Sequence, residues 1–217
     1  MIRIIDVNIN KLRLQDKKLY LITSSANFKS EETFLDAIAS ALQGGVRMIQ
    51  LKANGQSTST IIRLGKRIRE LCSIYDSLFI VHDRVDIAKV IDADGVHLDQ
   101  ECIDIHTARD ILGTTSIIGM SVNSIDQAVI AQESGADYIT VKATAEDVTP
   151  VNKKEYCDFL KWASENISIP FYAHEDIDIE DIQNVLRKDD IRIAVESSVI
   201  HSKNPEMSAK SIIEKLK

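Results

Sequence analysis

The chain has 217 residues, 44% hydrophobic and 27% charged, a size and composition that suit one packed domain, and its 3 prolines and 8 glycines exclude a low-complexity or linker-rich protein. Acids outnumber bases 33 to 26, and a net charge of -7 without a basic patch on a repeated face argues against general binding to nucleic acid or anionic lipid. No apolar run approaches the roughly 18 residues needed to cross a bilayer, the N-terminus lacks the apolar centre of a secretory signal, and three widely spaced cysteines without a CxxC pair suit a reducing compartment. A cytoplasmic protein with no nucleic-acid or membrane partner is expected.

In chain order, residues 1–17 alternate enough to form an extra strand or a segment of a subunit contact. Short runs rich in β-branched residues then appear at 19–23, 47–51, 78–82, 94–98, 116–121, 138–142, 169–173 and 192–196. Segments of helical period alternate with them near 30–43, 58–75, 85–91, 105–112, 124–134, 153–166, 179–187 and 206–216. Ser30 and Ser124 sit where helix N-caps are wanted, and Gly135 where a left-handed C-terminal residue is wanted.

Eight continuous apolar strands, each followed by a helix, predict parallel pairing with right-handed crossovers and closure into a single (β/α)8 TIM barrel over residues 1–217. The other candidate, a doubly wound open sheet, usually carries a glycine-rich turn after its first strand, and "LITSSANFKS" has none. In a barrel the residues just past each strand form the working rim. These are Thr23; Gln50, Lys52 and Asn54; His82 and Asp83; His97 and Gln100 to Cys102; Ser121 and Asn123; Lys142 and Thr144; His174 and Glu175; Glu196 and Ser197.

The stretches "LYLITSS", "ALQGGVRMIQLKAN", "VHDRVDIAKVIDADGVHLDQE", "IIGMSVNSIDQAVIAQESGADYITV" and "AVESSVIHSKNPEMSAKSI" resemble the thiamine-phosphate synthases and their relatives, the thiazole tautomerases. The resemblance implies a barrel that joins a pyrimidine diphosphate to a thiazole phosphate with Mg²⁺ and releases pyrophosphate, in thiamine biosynthesis, as a homodimer. It places Asp83 on the first metal-ligand aspartate and Cys102 on the second. Gln50, Lys52 and Asn54 fall on a Gln-x-Arg-x-Lys strand end that holds pyrimidine and diphosphate, and His82 on the asparagine before the first acid. Ser121 falls on the serine after strand five, and Ser197 on a serine that helps bind the thiazole phosphate.

The chain departs from the family pattern at several of these places. After strand six a Thr-x-Thr-Lys loop is replaced by "KATAEDVTPVNKK" with Glu146 and Asp147, and after strand seven a glycine-rich turn is replaced by "YAHEDID" with Glu175 and Asp176. Asn123 stands where the tautomerases carry a histidine. Thiolate is a poor ligand for Mg²⁺, and a lysine lacks the two-point grip of an arginine.

These residues leave other readings open. Asp83 also suits a helix N-cap; Cys102 suits a small hydrophobe; His82, His97 and His174 with Asp83 or Cys102 offer a softer metal site, and His97 equally a core position. A non-catalytic or regulatory paralogue would bind a different, less phosphorylated ligand. Lys142 marks a third reading, a Schiff-base lyase, and with Ser121 it is the candidate catalytic residue.

Overall fold

The computed structural model describes residues 9–26, 28–52, 55–143, 150–175 and 178–217, leaving aside the side chains of Lys11 and residues 150–152. Asn54, Thr144, Glu146, Asp147 and Asp176 lie outside the described residues. Eight strands form a closed barrel in chain order: β1 (Leu19–Ser24), β2 (Met48–Lys52), β3 (Leu78–His82), β4 (Gly95–Leu98), β5 (Ile117–Val122), β6 (Tyr138–Val141), β7 (Phe171–His174) and β8 (Ile193–Val195). Every neighbouring pair is parallel, and β8 closes on β1 with Leu19 opposite Ile193. The expected TIM barrel is the observed fold.

Strands such as "LFIVH" read as unbroken apolar runs because both faces are buried, one against helices and one inside the barrel. Alternation sorts the residues between the two. Leu19, Leu21, Ile49, Leu51, Phe79 and Val81 join the large strand–helix core. Tyr20, Ile22, Met48, Leu78, Ile80, Ile117, Tyr138, Tyr172 and Ala194 form a second cluster, the barrel interior.

The covering helices are α2 (Glu31–Gln43), α3 (Thr58–Ile74), α4 (Val85–Val90), α5 (Ile105–Leu112), α6 (Ile125–Glu133), α7 (Pro150–Asn166), α8 (Ile179–Val185) and α10 (Pro205–Lys215). Ser30 accepts from Thr33 N, 3.2 Å, in a full capping box, and Ser124 from Gln127 N, 3.3 Å, so both expected caps are made. Gly135 has φ 88°, the left-handed conformation expected of it.

Two further elements escape the sequence pattern. The described part of the N-terminal segment, where an extra strand or a subunit-contact segment is expected, is a helix, α1 (Ile9–Leu14). It closes the lower end of the barrel. Leu14 enters the interior cluster, Asn10 donates to Ser116 O and Asp137 Oδ1, and Arg13 pairs with Asp94. The second is a short turn of helix, α9 (Ser197–Ile200), immediately after β8. No described helix is long and apolar enough to cross a membrane.

Candidate active site

Alternation along the strands decides which residues reach the upper mouth. Counting in steps of two from the interior residues Met48, Leu78, Tyr138, Tyr172 and Ala194, the strand ends deliver Lys52, His82, Lys142, His174 and Glu196. Strands β4 and β5 deliver His97 then Asp99, and Ser121 then Asn123, by the same rule. Asp83 is the exception. It adopts φ 56°, a left-handed conformation that aspartate tolerates better than bulkier residues, and its N–H donates to His97 O, 2.9 Å.

Beneath the mouth lies a buried polar chain. Tyr20 donates its hydroxyl to Gln50 Oε1, and the Gln50 amide meets His82 Nδ1 at 2.9 Å. Tyr20 also meets the Tyr138 hydroxyl, 2.8 Å, which lies 3.0 Å from His97 Nδ1. His97 Nε2 in turn meets Ser121 Oγ at 2.9 Å and Thr140 Oγ1 at 3.1 Å. Burial raises the Tyr20 and Tyr138 hydroxyls well above the ordinary phenol range and pushes His97 well below the ordinary imidazole range. The chain is therefore neutral at pH 7, with every member hydrogen-bonded.

At the mouth the chain meets charge. His82 Nε2 lies 3.1 Å from Asp83 Oδ2 and 3.5 Å from Asp99 Oδ2, and Asp99 N donates to Asp83 Oδ1, 2.8 Å. Lys142 Nζ pairs with Asp99 Oδ1 at 3.1 Å. Burial holds His82 below its ordinary value against the pull of both carboxylates. Burial alone would raise Asp99, but the Ser121 hydroxyl and the charges of Lys142 and His82 outweigh it, leaving the carboxyl at about 2. Two carboxyl groups and an imidazole thus share the floor of a cavity of about 490 Å³, whose wall includes Ser121, Asn123 and Lys142.

Gln50, His82, Asp83, Ser121 and Lys142 therefore lie at or directly beneath one cavity. Cys102 also lines it, but its thiol donates to the backbone carbonyl of Asp83, 3.4 Å, while the carboxylate that joins His82 and Asp83 is that of Asp99. Among the described residues, His82, Asp83 and Asp99 are a set whose ligand atoms all lie within 4.8 Å of one another. His97 is a satisfied core residue, and His174 is not in that set. Sequence reasoning passed over Asp99 because the match to the resembling family fell three residues later. The signal that identifies it is parity with His97, two residues before it.

Lys52 and the serines after β8 are engaged by acids. Lys52 Nζ lies 3.5 Å from Glu196 Oε2. The exposed Ser197 donates its backbone N–H to Glu175 Oε1, 2.7 Å, and Ser198 donates both its N–H and hydroxyl to Glu175 Oε2, 3.3 and 2.6 Å. A carboxylate therefore occupies the backbone donors after β8.

A closed parallel eight-stranded barrel with carboxylates, a lysine and a hydroxyl around a cavity at its carboxyl-terminal mouth defines the class of (β/α)8 barrel proteins. Residues 19–199 match the family described as thiamine monophosphate synthase, and the chain belongs to that family. It is 34% identical over 204 residues to the thiamine-phosphate synthase of a Nostoc species, covering 94% of this chain and 57% of that one. It is 34% identical over 207 residues to the thiamine-phosphate synthase of Methanobrevibacter smithii, covering 93% and 96%. The solved thiamine phosphate pyrophosphorylase of Pyrococcus furiosus superposes with a TM-score of 0.79 at 31% identity, over 94% of this chain and 97% of that one. The chain spans little more than half the length of the cyanobacterial relatives it matches.

Proposed function

We propose that the chain is a thiamine-phosphate synthase, joining hydroxymethylpyrimidine diphosphate to thiazole phosphate with release of pyrophosphate. The observation that carries this reading is the pair of facing carboxylates, Asp83 and Asp99, beside Lys142 at the mouth of a barrel of this family. A divalent cation fits these donors, since both are oxygen ligands and Asp99 is ionised throughout the physiological range. Asp83 and Asp99 would hold it, and once bound it supplies charge neutralisation for the departing diphosphate.

The protein groups have distinct tasks in this reading. Lys142 offers a second positive charge to the leaving group, once the substrate's oxygens compete with Asp99 for the ammonium. Lys52 does the same from the other side, by exchanging its contact with Glu196. Ser121, held by His97 and Thr140, presents a hydroxyl to the bound heterocycle, and the Gln50 amide fixes the tautomer of His82 from below. With both substrates and a divalent cation, pyrophosphate should appear at a rate proportional to protein concentration. No release above background at micromolar protein would overturn the assignment.

A second reading, a family member that takes a less phosphorylated ligand, is favoured by Glu175. Its carboxylate lies on the Ser197 and Ser198 donors, the place that the resemblance gives to the thiazole phosphate, and it would repel one. Thiazole alcohol binding more tightly than thiazole phosphate, measured by calorimetry, is the result that separates this reading from the first. For the Schiff-base reading, Lys142 Nζ lies 3.1 Å from Asp99 Oδ1, a contact that an attacking amine would have to give up.

A further inference from the structure

We infer that the mouth of the barrel is a mixed nitrogen and oxygen metal site, in which His82 Nε2 joins Asp83 and Asp99 and gives preference to a first-row transition ion such as Mn²⁺ or Co²⁺ over Mg²⁺. The inference deepens the proposed function, since it rests on that reading's cation position. Its content is the third ligand and the class of ion.

Three observations lead to it. The Nε2 atom lies 3.1 and 3.5 Å from carboxylate oxygens of Asp83 and Asp99. Adjacent corners of an octahedron or tetrahedron with bonds of about 2.1 Å are separated by about 3.0 and 3.4 Å, so the imidazole stands at the spacing of a neighbouring ligand from each carboxylate, and the three donor atoms lie within 4.8 Å of one another. The imidazole is also the only nitrogen in the donor set, and its ring is buried with Nε2 turned toward both carboxylates. Finally, the neighbouring thiol points elsewhere, to the Asp83 carbonyl, so Cys102 does not complete the shell. An added imidazole matters little to Mg²⁺, which prefers oxygen, and favours ions higher in the Irving–Williams order.

Ligation requires a change that the buried chain can make. With its amide N–H toward Nδ1, Gln50 leaves the ring hydrogen on Nε2, where it donates to Asp83. A metal at Nε2 needs that hydrogen on Nδ1. Turning the Gln50 amide over supplies an acceptor, Oε1, for Nδ1–H and directs an N–H at Tyr20. The Tyr20 hydroxyl then donates to Tyr138, and Tyr138 donates to His97 Nδ1, so that His97 Nε2–H donates to Ser121. Every group keeps a partner. The direction of the whole chain is therefore linked to metal binding, and the last hydroxyl, Ser121, is released to donate into the cavity.

The test uses Mn²⁺ alone with the intact protein. Electron spin-echo spectra of bound Mn²⁺ should show modulation from one ¹⁴N nucleus, absent in His82→Asn. Calorimetry should show Mn²⁺ binding weakened about tenfold or more in His82→Asn, while Mg²⁺ affinity changes about twofold or less. Asp99→Asn should weaken both ions, and Cys102→Ala neither. Bound Mn²⁺ without nitrogen modulation in the wild-type protein, equal losses of Mn²⁺ and Mg²⁺ in His82→Asn, or failure of the wild type to bind Mn²⁺ would overturn the inference. The wild-type spectrum decides the matter even if His82→Asn does not fold. Pyrophosphate release with Mg²⁺ and no nitrogen modulation would leave the proposed function standing and remove this inference; nitrogen-coupled Mn²⁺ without turnover would do the reverse.

Discussion

Gly119 shows how little slack the barrel interior holds. A Cβ there would lie 2.1 Å from Cζ of Tyr138, and that ring is already boxed in by Tyr20, Tyr172 and His97. Gly119→Ala should therefore cost about 2–3 kcal/mol in denaturant unfolding, by overpacking; a loss under about 0.5 kcal/mol would mean the interior can yield. Cys72 is the opposite case, a group made inert by enclosure. Burial pushes its thiol up to about 12, with Asp94 adding to the effect, and since the thiolate is the reactive form, the native protein at pH 8 should alkylate Cys102 and Cys157 while Cys72 reacts only on unfolding. Native labelling of Cys72 at a rate matching the other two would contradict the packing. Asp83 was legible in the sequence as a strand-end acid, but its left-handed turn was not, and Asp99 needed strand parity rather than a motif. A residue's role here depends on which way it faces, and an alignment of motifs does not carry that.

The strands and the large helices were legible because their pattern is redundant: continuous apolar runs, helical period and serine caps all agree. Helix α1 was not, because "INKLRL" is short and its alternation also fits a strand. Its conformation is fixed by docking, through Leu14 in the interior cluster and Asn10 on Ser116 and Asp137. Leu14→Ala should accordingly destabilise the protein by about 2–5 kcal/mol, as for a buried core leucine. A midpoint of unfolding unchanged by that substitution would show α1 to be an ornament on the barrel. Helix α9 escaped for a related reason: its first two N–H groups are satisfied by Glu175, a partner 22 residues away in sequence, and local chemistry gives no sign of it.

At the scale of the molecule, the barrel separates stability from chemistry. Arg13 and Arg69 on Asp94, and Arg109 on Asp137, tie the lower ends of the strands together, while the upper ends converge on the cavity. One buried chain from Gln50 to Ser121 joins the interior to that mouth. The family was readable from the sequence and is borne out by the match over residues 19–199; the grouping of Asp99 with His82 and Asp83 was not, since the resemblance drew attention to Cys102, whose thiol turns to the Asp83 carbonyl. The most direct test is divalent-dependent pyrophosphate release by the wild-type protein, Asp99→Asn and Cys102→Ala, supplied with both substrates. The account predicts release by the wild type, a fall of about a hundredfold or more in Asp99→Asn and a change within about twofold in Cys102→Ala. Undiminished release by Asp99→Asn, or collapse in Cys102→Ala, would contradict it.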